Sequence, residues 1–196
     1  LTVASGIAIP ASFIDVTTPL TDTIDLHLEG DVVFGALGLV AGKGSFDITM
    51  GQTEIGATTY EAMLIDLQNI SLFVGPGASV TIANSDPTTD FANSTVNNGS
   101  LGFEASNVGV TMMTLTDLGL VAAGDEYTYL GLEMSFDRAG LVGLEGTLDF
   151  TAFNVVAQLN QVSTTNVADL TPAKLDWSTL TVASGIAIPA SFIDVT

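Results

Sequence analysis

Oxygen-bearing side chains suited to a hard cation gather at two places along this chain. Asp86, Asp90, Asn93, Asn97 and Asn98 crowd one loop within the polar stretch Gly75–Ser100. Asp117 and Asp125, with Glu126 beside the latter, form a second cluster in TDLGLVAAGDE. Carboxylate and amide oxygens on a flexible loop are what Ca²⁺ requires. Neither cluster follows the EF-hand spacing or the GGxGxDxUx nonapeptide, so each reads equally as a solvated polar loop. Ca²⁺ is the one cofactor for which the sequence makes a case.

Other chemistries find less material. His27 is the single histidine; flanked by Leu26 and Leu28 on an alternating stretch, it points away from them and reads as a surface residue. One histidine without cysteine makes no transition-metal site, and no G-x-S-x-G setting accompanies it for nucleophilic catalysis. A carboxylate pair for glycoside hydrolysis is available among the 22 acidic residues, but aromatic content is 7% with one Trp, poor for holding sugars. No G-x-G-x-x-G follows a strand and no P-loop is present. The chain is expected not to be an enzyme.

The charge balance narrows the partners. There are 22 Asp and Glu against 3 Lys and Arg (Lys43, Arg138 and Lys174), a net charge of −19. Nucleic-acid binding begins with basic side chains neutralising phosphates, so a nucleic-acid partner is not expected. An anionic membrane surface is disfavoured on the same ground. The charge either attracts divalent cations or keeps an apolar β-protein soluble and its sheet edges apart. With no cysteine, disulfides and thiolate metal sites are ruled out. The longest apolar run, Val32–Gly42, is too short and too glycine-rich to cross a bilayer as a helix.

What must position these residues is a repeat. Residues 1–17 read LTVASGIAIPASFIDVT and residues 180–196 read the same, identical at all 17 positions, a period of 179 residues. The expectation is a parent built of near-identical units in series, with 1–179 one complete unit and 180–196 the start of the next. A duplicated tag would not carry strand and turn material such as Ile-Ala-Ile-Pro and Phe-Ile-Asp-Val. Val3, Ile7, Ile9, Phe13, Ile14 and Val16 are too many apolar groups for a solvated tail. The segment is therefore expected to add strands to the preceding unit or cap its end, with Pro10 dividing it into two short strands or marking a bend.

Within the unit, helical periodicity is nearly missing and period-2 alternation recurs. A strand, a small or polar corner and a second strand appear in Leu26–Leu37, Leu64–Val74, Leu101–Met113, Leu130–Leu144 and Leu148–Asn160, and more weakly in Gly44–Ala57. Asn69, Asn107 and Asn154 sit near three of the corners, and asparagine tolerates the left-handed backbone that a corner or bulge needs. Thr171-Pro172 reads as a helix start, placing one helical turn or a linker at Ala173–Trp177. Trp177 is expected to plug the boundary between units. The fold class is all-β, an elongated β-sandwich or a β-solenoid-like unit; the sequence leaves both open.

The blocks VFGALGLVAGKGSFDITMGQ, NNGSLGFEASNVGVTMM, YLGLEMSFDRAGLVGLEG and AKLDWST together resemble repeat units of very large, acidic, cysteine-poor bacterial surface or secreted proteins of RTX-like or adhesin-like type. The resemblance spans most of residues 24–179 and is one of pattern, with no functional residue to carry over. It implies export to the cell surface or beyond, a spacer or fibre role, neighbouring copies of the same repeat as partners, and calcium-stiffened joints. The distal ligand of such a parent is not written here. The competing expectation is a binding module for a glycan, a lipid or a partner protein. A spacer would bury its surplus apolar residues; a carrier would leave an apolar groove open.

Overall fold

The computed structural model describes residues 20–86, 89–119 and 125–193. The first copy of the duplicated segment, residues 1–17, lies outside them, as do the last three residues of the second. What is expected of that first copy, the division or bend at Pro10 included, lies outside the described residues.

Six long strands follow one another as an antiparallel meander. They are β1 (Ile24–Ala36), β2 (Val40–Ile55), β3 (Thr58–Val74), β6 (Gly102–Asp117), β7 (Tyr127–Val142) and β8 (Thr151–Thr164), hydrogen-bonded in that order. A short strand β9 (Val182–Gly185) joins the sheet on β2. Between β3 and β6 the chain makes a small hairpin of β4 (Ser79–Thr81) and β5 (Thr95–Asn97), with a helical turn α1 (Asp90–Asn93) between its strands. The fold is all-β and predominantly antiparallel, as the alternation predicts. Among the described residues the long strands make one layer, so neither the second sheet of a sandwich nor the coils of a solenoid is present there.

Most corners read from the sequence are bends inside continuous strands. Asn69, Asn107 and Asn154 have φ of 53°, 52° and 50°, the left-handed conformation that asparagine tolerates best among residues with a Cβ. The pairing register of β3 and β6 slips at the first two, and the Asn107 side-chain amide donates to the Asp137 carboxylate on β7 at 2.8 Å. Each extra residue restores the in–out alternation across the bend. Leu67 and Ile70, three apart, thus stay on one side: they face Phe46 and the backbone of Gly44, where an added Cβ would meet Ile70. The weak segment Gly44–Ala57 is part of β2, which pairs with three strands.

Near the end of the chain two alternatives are decided. Residues 173–176 form a linker and not a helical turn; the turn that follows is a 3-10 helix at Trp177–Thr179, started by Asp176, whose carboxylate accepts from the Ser178 backbone N–H. A capping carboxylate two residues ahead outweighs the proline signal. Pro189, the counterpart of Pro10 in the second copy, marks a bend and not a division into two strands: a helical turn follows it, α2 (Ala190–Ile193), with the Phe192 N–H bonded to the Pro189 carbonyl. Proline sets the helical φ of a first turn and needs no hydrogen bond of its own there. No helix among the described residues is long and apolar enough to cross a membrane.

Candidate functional site

The paired registers turn the sheet into rows, and successive rows alternate in chemistry. Glu29, Asp47, Asp66, Thr111, Glu133 and Gln158 stand side by side across all six strands. One residue along, and so on the opposite face, stand Leu28, Ile48, Ile65, Met112, Leu132 and Leu159. The next row on that second face is Gly30, Phe46, Leu67, Val110, Met134 and Ala157. The sheet therefore has one face with a polar belt across its middle and another with an apolar band there, which gives way towards the β2–β3 turn to a polar row of Gln52, Glu61, Thr116, Thr128 and Ser163. Nothing among the described residues covers the apolar band; Leu28 and Leu159, at its two edges, are 49% and 42% exposed.

The other face is covered at both ends. At one end Ala41 and Phe73, both fully buried, lie under the β4–β5 hairpin with Val80, Val96 and Val142. The hairpin loop is fastened by charge. The Lys43 ammonium donates to the Ser94 carbonyl at 2.7 Å and reaches the Phe91 and Ala92 carbonyls at 3.4 Å, capping the end of α1. Glu104 holds the Asn98 amide and the Arg138 guanidinium, each at 2.6 Å.

At the other end the duplicated segment is the cover. Met113, Leu115, Ala62 and Tyr60 from β3 and β6 form a buried cluster with Trp177, Ile186, Ile188 and Phe192. Three of these eight belong to residues 180–193. Trp177 stacks edge-on against Phe192 with ring centroids 5.4 Å apart, and its indole N–H donates to Asn160, whose amide donates to the Leu175 carbonyl. β7 makes room with Gly131, where a Cβ would approach the Phe192 ring to 2.8 Å. β9 is stitched to β2: Thr53, fully buried, donates its hydroxyl to the Ile186 carbonyl at 2.8 Å, and Ser184 donates to Glu54 at 2.9 Å. Gly185, at φ 92°, lies so close to the Gln52 carbonyl that a Cβ would come within 2.1 Å of it. Only glycine fits both the angle and the space. Burial pushes the Tyr60 and Tyr129 hydroxyls up from their ordinary pKa, with the charge of Asp117 adding to the effect.

The predicted calcium ligands are distributed over both ends. Asp86, Asp90 and Asn93 share the loop around α1, where Asp90 accepts from the Ser85 and Asp86 backbone N–H groups at 3.1 and 2.9 Å. Asn97 donates to Thr81 and Asn98 to Glu104, so both amides tie the hairpin together. Asp117 is the last residue of β6, at the opposite end of the sheet, and accepts from the Gly119 N–H; Asp125 precedes β7.

A different group was missed. His27, Glu29 and Asp47 offer ligand atoms within 4.8 Å of one another. The sequence reading of His27 as a surface residue is corrected: its side chain is 14% exposed, and Nε2 lies 3.2 Å from Asp47 Oδ1 but out of line for a hydrogen bond. The belt's carboxylates are otherwise occupied by neighbours, Asp31 by the Ser45 hydroxyl and Asp66 by the Thr111 hydroxyl. The acids of the row, one each from β1, β2, β3 and β7, are far apart in sequence and converge only once the register is known. The in-sequence signal was the alternation of Leu26, Leu28 with His27, Glu29.

Compared with protein-family models, curated proteins and solved structures, the chain matches none of them.

Proposed function

We propose that this chain is a structural repeat of an extracellular fibre or giant adhesin, in which the opening segment of each unit seals the end of the unit before it. The observation that carries this reading is the seating of Val182–Ile193, a copy of the chain's own opening residues, in the apolar end of the sheet. A segment that supplies Ile186, Ile188 and Phe192 to a core contributes roughly 1.5–3 kcal/mol per side chain, enough to make a stiff joint. Lack of cysteine and the acidic belt suit long arrays of identical copies: no thiols mispair, and like charge keeps neighbouring arrays apart. The pattern resemblance to acidic surface repeats supports the same reading, and Ca²⁺ bound at the acidic loops would stiffen it further.

The test is a chain of three units in tandem, studied by solution scattering. The expected outcome is a rod whose length grows by an equal increment per unit and which melts in one transition. A flexible necklace with independent transitions would sink the reading.

One observation favours a second reading, a binding module for an apolar partner or lipid. The surplus apolar residues are buried at the two ends but left open in a band across the middle of the second face. Lipid vesicles that shift the melting temperature, with Leu132→Glu abolishing the shift, would favour the module. Unaltered melting in the same titration would leave the face to be covered by neighbouring units.

A further inference from the structure

The seat that holds residues 182–193 has a second candidate occupant on the same chain. We infer that residues Leu1–Ile14 can replace Leu180–Ile193 in this seat, so that the same segment closes either its own unit or the unit before it. This deepens the end-to-end reading, and its consequence for an array rests on that reading.

The chemistry of recognition is the same for both occupants, since the two segments are identical in sequence. Gly6 corresponds to Gly185, Ile7 to Ile186, Ile9 to Ile188 and Phe13 to Phe192. Every contact the seat makes with the second copy is available to the first. These are the Thr53 hydroxyl on a backbone carbonyl, the tight passage at Gln52 and the ring against Trp177.

Position allows it too. β9 lies on the same edge of β2 as β1 and runs in the same direction, directly ahead of it. The Gln52 N–H donates to the Thr23 carbonyl at 2.8 Å while the Gln52 carbonyl accepts from the Ile186 N–H at 3.2 Å. The chain's own opening segment would therefore occupy the lane that β1 continues. If Phe13 sat against Gly131 on β7, residues 15–22 would have to return across the sheet to Thr23. Four strand spacings of about 4.8 Å make roughly 19 Å, and eight residues reach about 26 Å. The connection is long enough.

In an array, each opening segment then has two seats within reach. Closing its own unit gives a self-contained bead; closing the preceding unit gives a joined rod. The balance between the two is set by tethering, because both compete with the same contacts and differ only in effective concentration.

The absence of cysteine gives a clean test on the full-length chain. Glu54 faces Ser184 in the register, and Ser5 is the counterpart of Ser184. In one variant, Glu54→Cys with Ser184→Cys, oxidation is expected to close a disulfide within the chain. In a second, Glu54→Cys with Ser5→Cys, slow oxidation is expected to trap the exchanged state as a cross-linked monomer. Adding Phe192→Asp should raise the trapped fraction several-fold, and adding Phe13→Asp should abolish it. If the second pair never closes while the first does, in either background, the exchange is overturned and the end-to-end joint stands. If the Ser5 pair yields only intermolecular ladders, the intramolecular exchange is likewise overturned. If the Ser184 pair itself fails to close, it is the joint of the proposed fibre that falls, and the exchange with it.

Discussion

The two ends of the sheet are closed by different means. The hairpin end is covered by chain that leaves β3 and returns to β6; it buries the small cluster of Ala41, Phe73 and Ala78 and is pinned by Lys43 on backbone carbonyls and by Glu104. The joint end is covered by chain about 130 residues from the strand it pairs with, and is sealed by Trp177, Ile186, Ile188 and Phe192. Exposed polar fastenings contribute little each, whereas buried apolar groups contribute several times more. One end is thus an ornament of the unit's own making, and the other is a socket whose strength comes from its plug.

The largest effect is expected from Phe192→Asp combined with Phe13→Asp, which puts a carboxylate against Trp177 whichever copy holds the seat. A loss of about 3–5 kcal/mol should appear as a lowered urea midpoint. As Trp177 is the only Trp, its emission should shift to the red with it. An unchanged midpoint would mean the joint adds nothing to the fold. Gly185→Ala should cost about 1–3 kcal/mol through strain at positive φ, more than Gly56→Ala, whose Cβ meets nothing within 4 Å. Equal losses at both would show that the close approach to Gln52 does not matter.

Calcium sharpens the comparison from the hairpin side. An ion held by the loop of Asp86 and Asp90 at tenfold excess over its dissociation constant would add about 1.4 kcal/mol. The check is a thermal melt in Ca²⁺ against chelator at matched ionic strength, and a flat result removes calcium from the account. Lys43→Met should cost about 1 kcal/mol or less. Faster amide exchange is expected at Ser94–Asn97 with Trp177 emission unmoved; a moved emission would show that the two ends are coupled.

The smallest effect is at high pH. Tyr60 and Tyr129 have raised pKa values in the folded chain because burial disfavours the phenolate. The folded state therefore holds these protons more tightly than the unfolded state. Their contribution is complete below the ordinary tyrosine pKa and is lost as pH climbs from there through the raised values. Stability should fall above about pH 10, and Tyr60→Phe should flatten that fall.

The all-β class was legible because alternation is a local signal, and the bends were legible because asparagine marks left-handed backbone by itself. The joint was legible for a different reason: the same apolar words appear twice, and something must bury them. The acidic belt was not legible, since Glu29, Asp47, Asp66 and Glu133 become neighbours only through a register that bulges alter. Nor was the open face, because Leu28 and Leu159 look like ordinary core residues until no second layer is found against them among the described residues. Whether a turn or a linker follows Thr171-Pro172 was not legible, because the proline pattern does not show that the cap at Asp176 starts the turn only at Trp177.

The pairing of Thr53 with Gly185 has a consequence in time. Five of the sheet's pairings join strands that follow one another along the meander, with only the hairpin excursion between β3 and β6 to lengthen one of them, while β9 must find β2 across most of the chain. Contacts between distant residues form late, after the entropy of closing a long loop has been met. Refolding should therefore show a fast phase that builds the sheet and a slow one that quiets Trp177. In the proposed array, a unit still on the ribosome would wait with its socket empty until the first residues of its successor emerged, and each copy would be finished by the next one's beginning.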